Sequence, residues 1–211
     1  MIEYAQRDSA LYYCLAKSSR RPLSLSEATL ISAQIANIAK RHQIAWAVIG
    51  GAAVALHLES INHPAAWSRT SSDFDIAASE TPRDPRIRWG APLVAGGRVG
   101  ILSQRRIDWL VRHDANDPLR ALQSRLIWAA STVNNSIMLP PADAICALKV
   151  CLSERAFRPK DYVDCRLLME AKLATNDGIT AWLQQTISNK TTRRYACANL
   201  ARITNAIAAA A

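Results

Sequence analysis

Several features that would direct a reading elsewhere are missing from this sequence. Its five cysteines, Cys14, Cys146, Cys151, Cys165 and Cys197, form no CxxC pair and no zinc spacing. That leaves no basis for a structural zinc site and suits buried thiols in a reducing compartment. No apolar run approaches the ~18 residues of a membrane span. The opening residues, MIEYAQRDSALYYC, lack a basic segment followed by an apolar stretch and a small-residue cleavage site. The expectation is therefore a soluble, cytoplasmic protein with no membrane partner. Glycine-rich nucleotide signatures are absent too: no GxGxxG occurs and no GK[ST] follows a glycine loop. Nor is there an internal repeat. Acidic residues are sparse, 17 against 26 Lys plus Arg, giving a net charge of +9 that attracts polyanions such as nucleic acid or nucleotide phosphates.

What is present belongs to a folded, basic protein. A chain of 211 residues suits one domain, or a domain with a helical annex, and is too short for two independent cores. With 50% hydrophobic and 20% charged residues, extended disorder is excluded. Of the 26 basic residues 20 are arginine, whose planar fork suits phosphate, although a compositionally biased genome gives the same excess.

Periodicity divides the chain. Leu30, Ile31, Ile35, Ile38 and Ala39 recur at helical spacing, predicting an amphipathic helix over residues 25–41. Residues 44–49, IAWAVI, read as a buried strand that stops at Gly50 and Gly51, after which AAVALHL restarts a helix over 52–58. Residues 73–77, DFDIA, alternate as a strand does, and the stretch 79–97, rich in Pro, Arg and Gly, reads as a long connecting loop. Residues 99–103 and 106–111 form a predicted hairpin. A helix over 118–130 and a short strand over 136–139 follow, closing at Pro140 and Pro141. Beyond that only helices are predicted: 142–152, 160–173, a segment around Trp182, and 192–211. The expected fold is α/β (α+β mixed): a mixed sheet flanked by helices over residues 1–140, with N-terminal helices, and a C-terminal helical bundle over 141–211.

Three carboxylates stand out. A strand's period of two puts Asp73 and Asp75 on one face with Phe74 on the other, so both can share a divalent cation. Asp108 lies inside the apolar segment RIDWLV, where an unpaired charge is costly. Together on adjacent strands they make a magnesium site; taken singly, Asp73 and Asp75 read as a solvated strand end and Asp108 as a salt bridge to a nearby arginine. Gly50 and Gly51 open a helix, where bare backbone N–H groups can hold phosphate, as well as making an ordinary strand-to-helix turn. His57, His63 and His113 have no ligating spacing. Trp46 and Trp109 read as core; Trp67 and Trp89, in polar stretches, are candidate base-stacking platforms.

The ordered combination of Gly50-Gly51 on a strand-to-helix turn, Asp73-Phe74-Asp75, and a single later acid, Asp108, resembles the nucleotidyltransferase superfamily, the polymerase-beta-like fold. The family's R-x-T-x-x-D-x-D stretch is seen loosely as Arg69-Thr70-Ser71-Ser72-Asp73-Phe74-Asp75. A second stretch, Pro141 to Lys149 and then Arg158, Lys160, Asp161 and Asp164, is similar to the helical half of AbiEii-type toxins and related minimal nucleotidyltransferases. The resemblance implies that Asp73, Asp75 and Asp108 bind Mg2+, with Mn2+ as a substitute. It implies that Gly50, Gly51, Arg69 and Thr70 position a nucleoside triphosphate. Lys149 would contact its phosphates and act in catalysis, and Arg158, Lys160 and Asp161 would line the cleft. It further implies nucleotide transfer to RNA, at a tRNA end, by a toxin with a cognate antitoxin. A catalytically silent RNA- or protein-binding module, or a transferase acting on a small molecule or protein, is the alternative. In the lysine's case the alternative is a side chain snorkelling from an apolar helix, and in the RPKDYVD run charges favoured by a helix start.

Overall fold

The computed structural model describes residues 22–67, 72–94, 96–152 and 158–210. Helix α1 (Leu25–His42) starts where the sequence supplies a capping box. Ser24 Oγ accepts the backbone N–H of Glu27 at 3.3 Å, and the Glu27 carboxylate accepts that of Ser24 at 3.1 Å. Its stripe of Ile31, Ile35 and Ile38 is fully buried. Strand β1 (Trp46–Val48) then runs through Ile49 into α2 (Gly50–Glu59), and both are apolar and buried over most of their length.

Four further strands complete the main sheet: β2 (Phe74–Ala78), β3 (Arg88–Pro92), β4 (Arg98–Leu102) and β5 (Arg105–Leu110). Their spatial order is β1-β2-β5-β4-β3. Strands β2 and β5 run parallel at the centre, and every other neighbouring pair is antiparallel. The central register sets Phe74 against Ile107, Asp75 against Asp108 and Ile76 against Trp109. Because side chains alternate along a strand, Phe74, Ile76, Ile107 and Trp109 share one face, where all four are fully buried. The other face carries Asp75, Ala77, Asp108 and Leu110. Trp109 is satisfied within the core by donating its indole N–H to the Glu80 carbonyl at 2.8 Å.

Helix α3 (Arg120–Ala129) and a small ladder of β6 (Ser131–Val133) with β7 (Ile137–Leu139) lead to four more helices. These are α4 (Ala142–Cys151), α5 (Pro159–Glu170), α6 (Asn176–Thr186) and α7 (Lys190–Ala208). Helix α4 is buried at every residue but Asp143; it packs against α5, α6 and α7 and also against α2 and α3, so one apolar core runs from Leu23 to Ile203. Among the described residues no helix is long and apolar enough to cross a membrane.

Two strands depart from expectation. The stretch predicted as a loop over 79–97 contains β3, and β6 precedes the predicted short strand. Neither has a periodic apolar pattern. Strand β3 is an edge strand with an irregular register between Trp89 and Pro92, the one place in a sheet that tolerates a proline. The predicted hairpin is present as β4 and β5, and its turn takes a form the residues do not suggest: Ser103 and Gln104 have φ of 50° and 62°, the two left-handed residues of a type I′ turn, without a glycine.

Truncating Trp109 to Ala leaves a cavity under the central strands, and the expected loss is about 3–5 kcal/mol in unfolding free energy. Urea denaturation of the variant beside the wild type measures it.

Candidate active site

The polar face of the central strands opens into a cavity of about 520 Å3 between the sheet, the start of α2, and helices α3, α4 and α5. Gly50, Gly51, Asp73, Asp75 and Asp108 line it on the sheet side; Lys149, Arg158, Lys160 and Asp161 line it on the helical side. Secondary structure alone explains why the acids meet: Asp75 and Asp108 sit opposite one another on parallel strands, and Asp73 lies two residues before Asp75.

Gly50 is required where it stands. Its φ is 67°, and a Cβ added there would lie 2.0 Å from Asp75 Oδ2. The turn therefore packs its bare backbone against the carboxylate, while the Ile49 N–H donates to the Asp75 carbonyl at 2.9 Å. Helix α2 has no side-chain cap and no acid in its first turn, so its first N–H groups and the positive end of its dipole are left for an anion.

The three acids differ in environment. Asp108 is held by Arg106, which donates from Nε at 2.7 Å and from Nη2 at 3.0 Å, and Arg106 Nη1 also lies 3.9 Å from Asp73. Asp73 accepts the Ser72 hydroxyl at 3.0 Å. Asp75 has no hydrogen-bond donor among the described residues; burial, then the charges of Asp108 and Asp73, push its carboxyl up to about 7. The salt-bridge reading of Asp108 is thus realised together with the convergence of the three acids. Hard oxygens crowded until they repel are the chemistry of a divalent-cation site. Among the described residues, however, no group of three or more His, Cys, Asp or Glu side chains is gathered closely enough to hold an ion as it stands. Arg106 supplies the counter-charge.

The opposite wall is built on a buried ion cluster. Lys149 Nζ donates to Asp161 Oδ1 at 3.1 Å and to Asp164 Oδ2 at 2.8 Å, and Arg158 Nε reaches Asp161 Oδ2 at 2.5 Å. Burial works against the ammonium, but Asp164 and Asp161 outweigh it and hold Lys149 above its ordinary value. Lys149 is therefore neither a snorkelling lysine nor free: its charge is shared between two carboxylates of α5. Lys160, exposed at the rim, faces the same space.

Arg69 and Thr70 lie outside the described residues. The stacking-platform expectation is corrected for Trp89, which packs edge to face on Trp109 with centroids 5.8 Å apart and donates its indole N–H to Pro82. Trp67 donates to Glu59 at 2.7 Å and packs against the core. His57 is tied to the Pro140 carbonyl at 2.8 Å, a structural contact between α2 and the start of the helical half. Sequence reading missed Arg106, Gln123 and the apolar wall of Leu110, Leu126 and Leu148. Arg106 alone carried a signal, two residues from Asp108 on one strand and so on one face.

No protein-family model matches the sequence, and no curated protein is similar enough to align with it. Among solved structures the chain is similar to an antigenic nucleotidyltransferase-like protein from Paracoccidioides brasiliensis. The two share 15% identity over 90% of this chain and 94% of that one, with a TM-score of 0.52. The chain therefore has a nucleotidyltransferase-like fold. A weaker likeness, to the antibiotic-resistance factor ANT(2'')-Ia, has 12% identity over 76% of this chain and 90% of that one, with a TM-score of 0.46, below the level at which a shared fold follows.

The raised carboxyl of Asp75 carries a sign that can be checked. From about pH 4 to about pH 7 the unfolded chain releases this proton while the folded chain keeps it, so stability falls as pH rises through that window and stays reduced above it. In chelator, Asp75→Asn should raise Tm at about pH 8, with the gain shrinking toward about pH 4.5. Thermal melts at both pH values decide it; an equal shift at each would contradict the assignment. Lys149→Met strands two buried carboxylates and should cost about 3–5 kcal/mol in denaturant unfolding.

Proposed function

We propose that the protein is a nucleotidyltransferase that moves a nucleoside monophosphate from a nucleoside triphosphate to an acceptor, RNA by preference. The observation that carries this reading is the pairing of Asp75 with Asp108 across parallel strands, with the Gly50 turn packed against Asp75 in a cavity whose far wall carries Lys149, Arg158 and Lys160 beside Asp161. In this reading the first N–H groups of α2 hold phosphate oxygens, and Lys160 and Arg158 attract the departing pyrophosphate. Lys149 acts from behind, positioning Asp161 and α5. The acceptor oxygen attacks the α-phosphorus, its proton passes to Asp108, and the bond from the α-phosphorus to the bridging oxygen breaks to release pyrophosphate. Asp73, Asp75 and Asp108 would hold Mg2+ or Mn2+, which when bound neutralises charge on the phosphates.

The finer reading, an AbiEii-type toxin acting on tRNA ends and restrained by an antitoxin, rests on the Lys149 and Arg158-Pro159-Lys160-Asp161 motifs and on the net charge of +9. In that reading residues 1–140 form the catalytic part, and the helices from 141 onward close the cavity.

One observation favours a second reading. Arg106 already occupies both oxygens of Asp108, as expected of a nucleotidyltransferase-like scaffold that binds RNA without catalysis. Calorimetry separates the two, because a silent scaffold binds RNA in a salt-sensitive way without metal-dependent nucleotide binding.

The direct test incubates purified protein with Mg2+, total tRNA and each labelled triphosphate in turn. Labelled RNA is expected, and Asp73→Ala should reduce labelling at least about 10²-fold with folding intact. Full activity in that variant would sink the mechanism, and label on a protein or a small molecule instead would reassign the acceptor.

A further inference from the structure

The cation found among the three acids belongs to the chain itself. Arg106 sits two residues before Asp108 on β5, so both side chains leave the same face of the sheet. Its guanidinium takes both Asp108 oxygens in a fork, at 2.7 Å and 3.0 Å, and Nη1 stands 3.9 Å from Asp73. Such bidentate pairs are the stronger class of charged hydrogen bond. Among the described residues Arg106 has no ion-pair partner outside this trio, and its side chain is 31% exposed.

We propose that Arg106 is a built-in competitor for the divalent cation: it lies across Asp73 and Asp108 while the site is empty of metal and must leave before an ion can enter. This rests on the reading of Asp73, Asp75 and Asp108 as metal ligands. The physical argument is a comparison of two states. With Arg106 in place, the charge of Asp108 is neutralised and that of Asp73 is partly offset at 3.9 Å, and a doubly charged ion arriving must first break the fork. The trio's intrinsic attraction for metal is reduced by the free energy of that ion pair. An incoming triphosphate changes the balance, because its phosphate oxygens offer a displaced guanidinium a new partner in the same cavity. Metal binding is thereby tied to nucleotide binding, and unproductive metal occupancy of the free protein is kept low.

The test titrates Mn2+ alone into nucleotide-free protein at fixed ionic strength, by calorimetry, for wild type, Arg106→Gln, Arg106→Lys and Asp108→Asn. Arg106→Gln should bind Mn2+ about tenfold more tightly than wild type, the equivalent of one lost charged pair, with Arg106→Lys between them. Melting curves give a second readout: Mn2+ should raise the Tm of Arg106→Gln by more than it raises that of wild type, an excess that a purely structural salt bridge would not produce. Should Arg106→Gln not fold, the intermediate affinity of Arg106→Lys decides. If Asp108→Asn abolishes Mn2+ binding while Arg106→Gln binds no tighter than wild type, the competitor role is overturned and the metal-site reading stands. If no protein in the series binds Mn2+, both fall together.

Discussion

Everything at the candidate site depends on one pairing, that of β2 with β5 in parallel and in the register that sets Asp75 beside Asp108. A slip of one residue would turn Asp108 into the core and bring Ile107 or Trp109 to the cavity, because side-chain direction alternates with every step along a strand. The register is held by what lies beneath it: Phe74, Ile76, Ile107 and Trp109, all fully buried, fill the opposite face. Burial of the apolar side thus positions the charged side.

The site is electrostatically unbalanced in two different ways. On the sheet, three like charges crowd one wall, and Arg106 answers two of them while Asp75 is left with its carboxyl pushed up. On the helices, Lys149 and Arg158 are set against Asp161 and Asp164, so nearly every buried charge there has its partner. The contrast is informative. A matched cluster fastens α4 to α5, whereas an unmatched one is destabilising on its own and has its natural resolution in a bound cation or a bound proton.

Much of the site was legible in the residues themselves, because it is written in short-range rules. The period of two links Asp73 to Asp75, and a double glycine after an apolar run marks a turn on which backbone is exposed. The capping residues around Ser24 and the helical spacing of Ile31, Ile35 and Ile38 are equally local. The hairpin of β4 and β5 was legible, though not the type I′ form of its turn; strand β3 was not, since an edge strand that ends in proline has no propensity to announce it. It exists because β4 offers a partner. The stacking role first given to Trp89 followed from its neighbours in sequence, while its actual partner, Trp109, comes from elsewhere in the chain, as do Asp161 and Asp164, the ion partners of Lys149.

Local pattern, then, determined which segments become helices and central strands, which glycines form the turn, and that two acids share a face. Tertiary structure decided the β2–β5 register that sets Asp108 beside Asp75, that Arg106 lies across the gap, and that Lys149 pairs with two carboxylates of α5. The reason is physical: propensity and periodicity act over a few residues, whereas a charge finds its counter-charge through space, after the core has chosen which strands are neighbours.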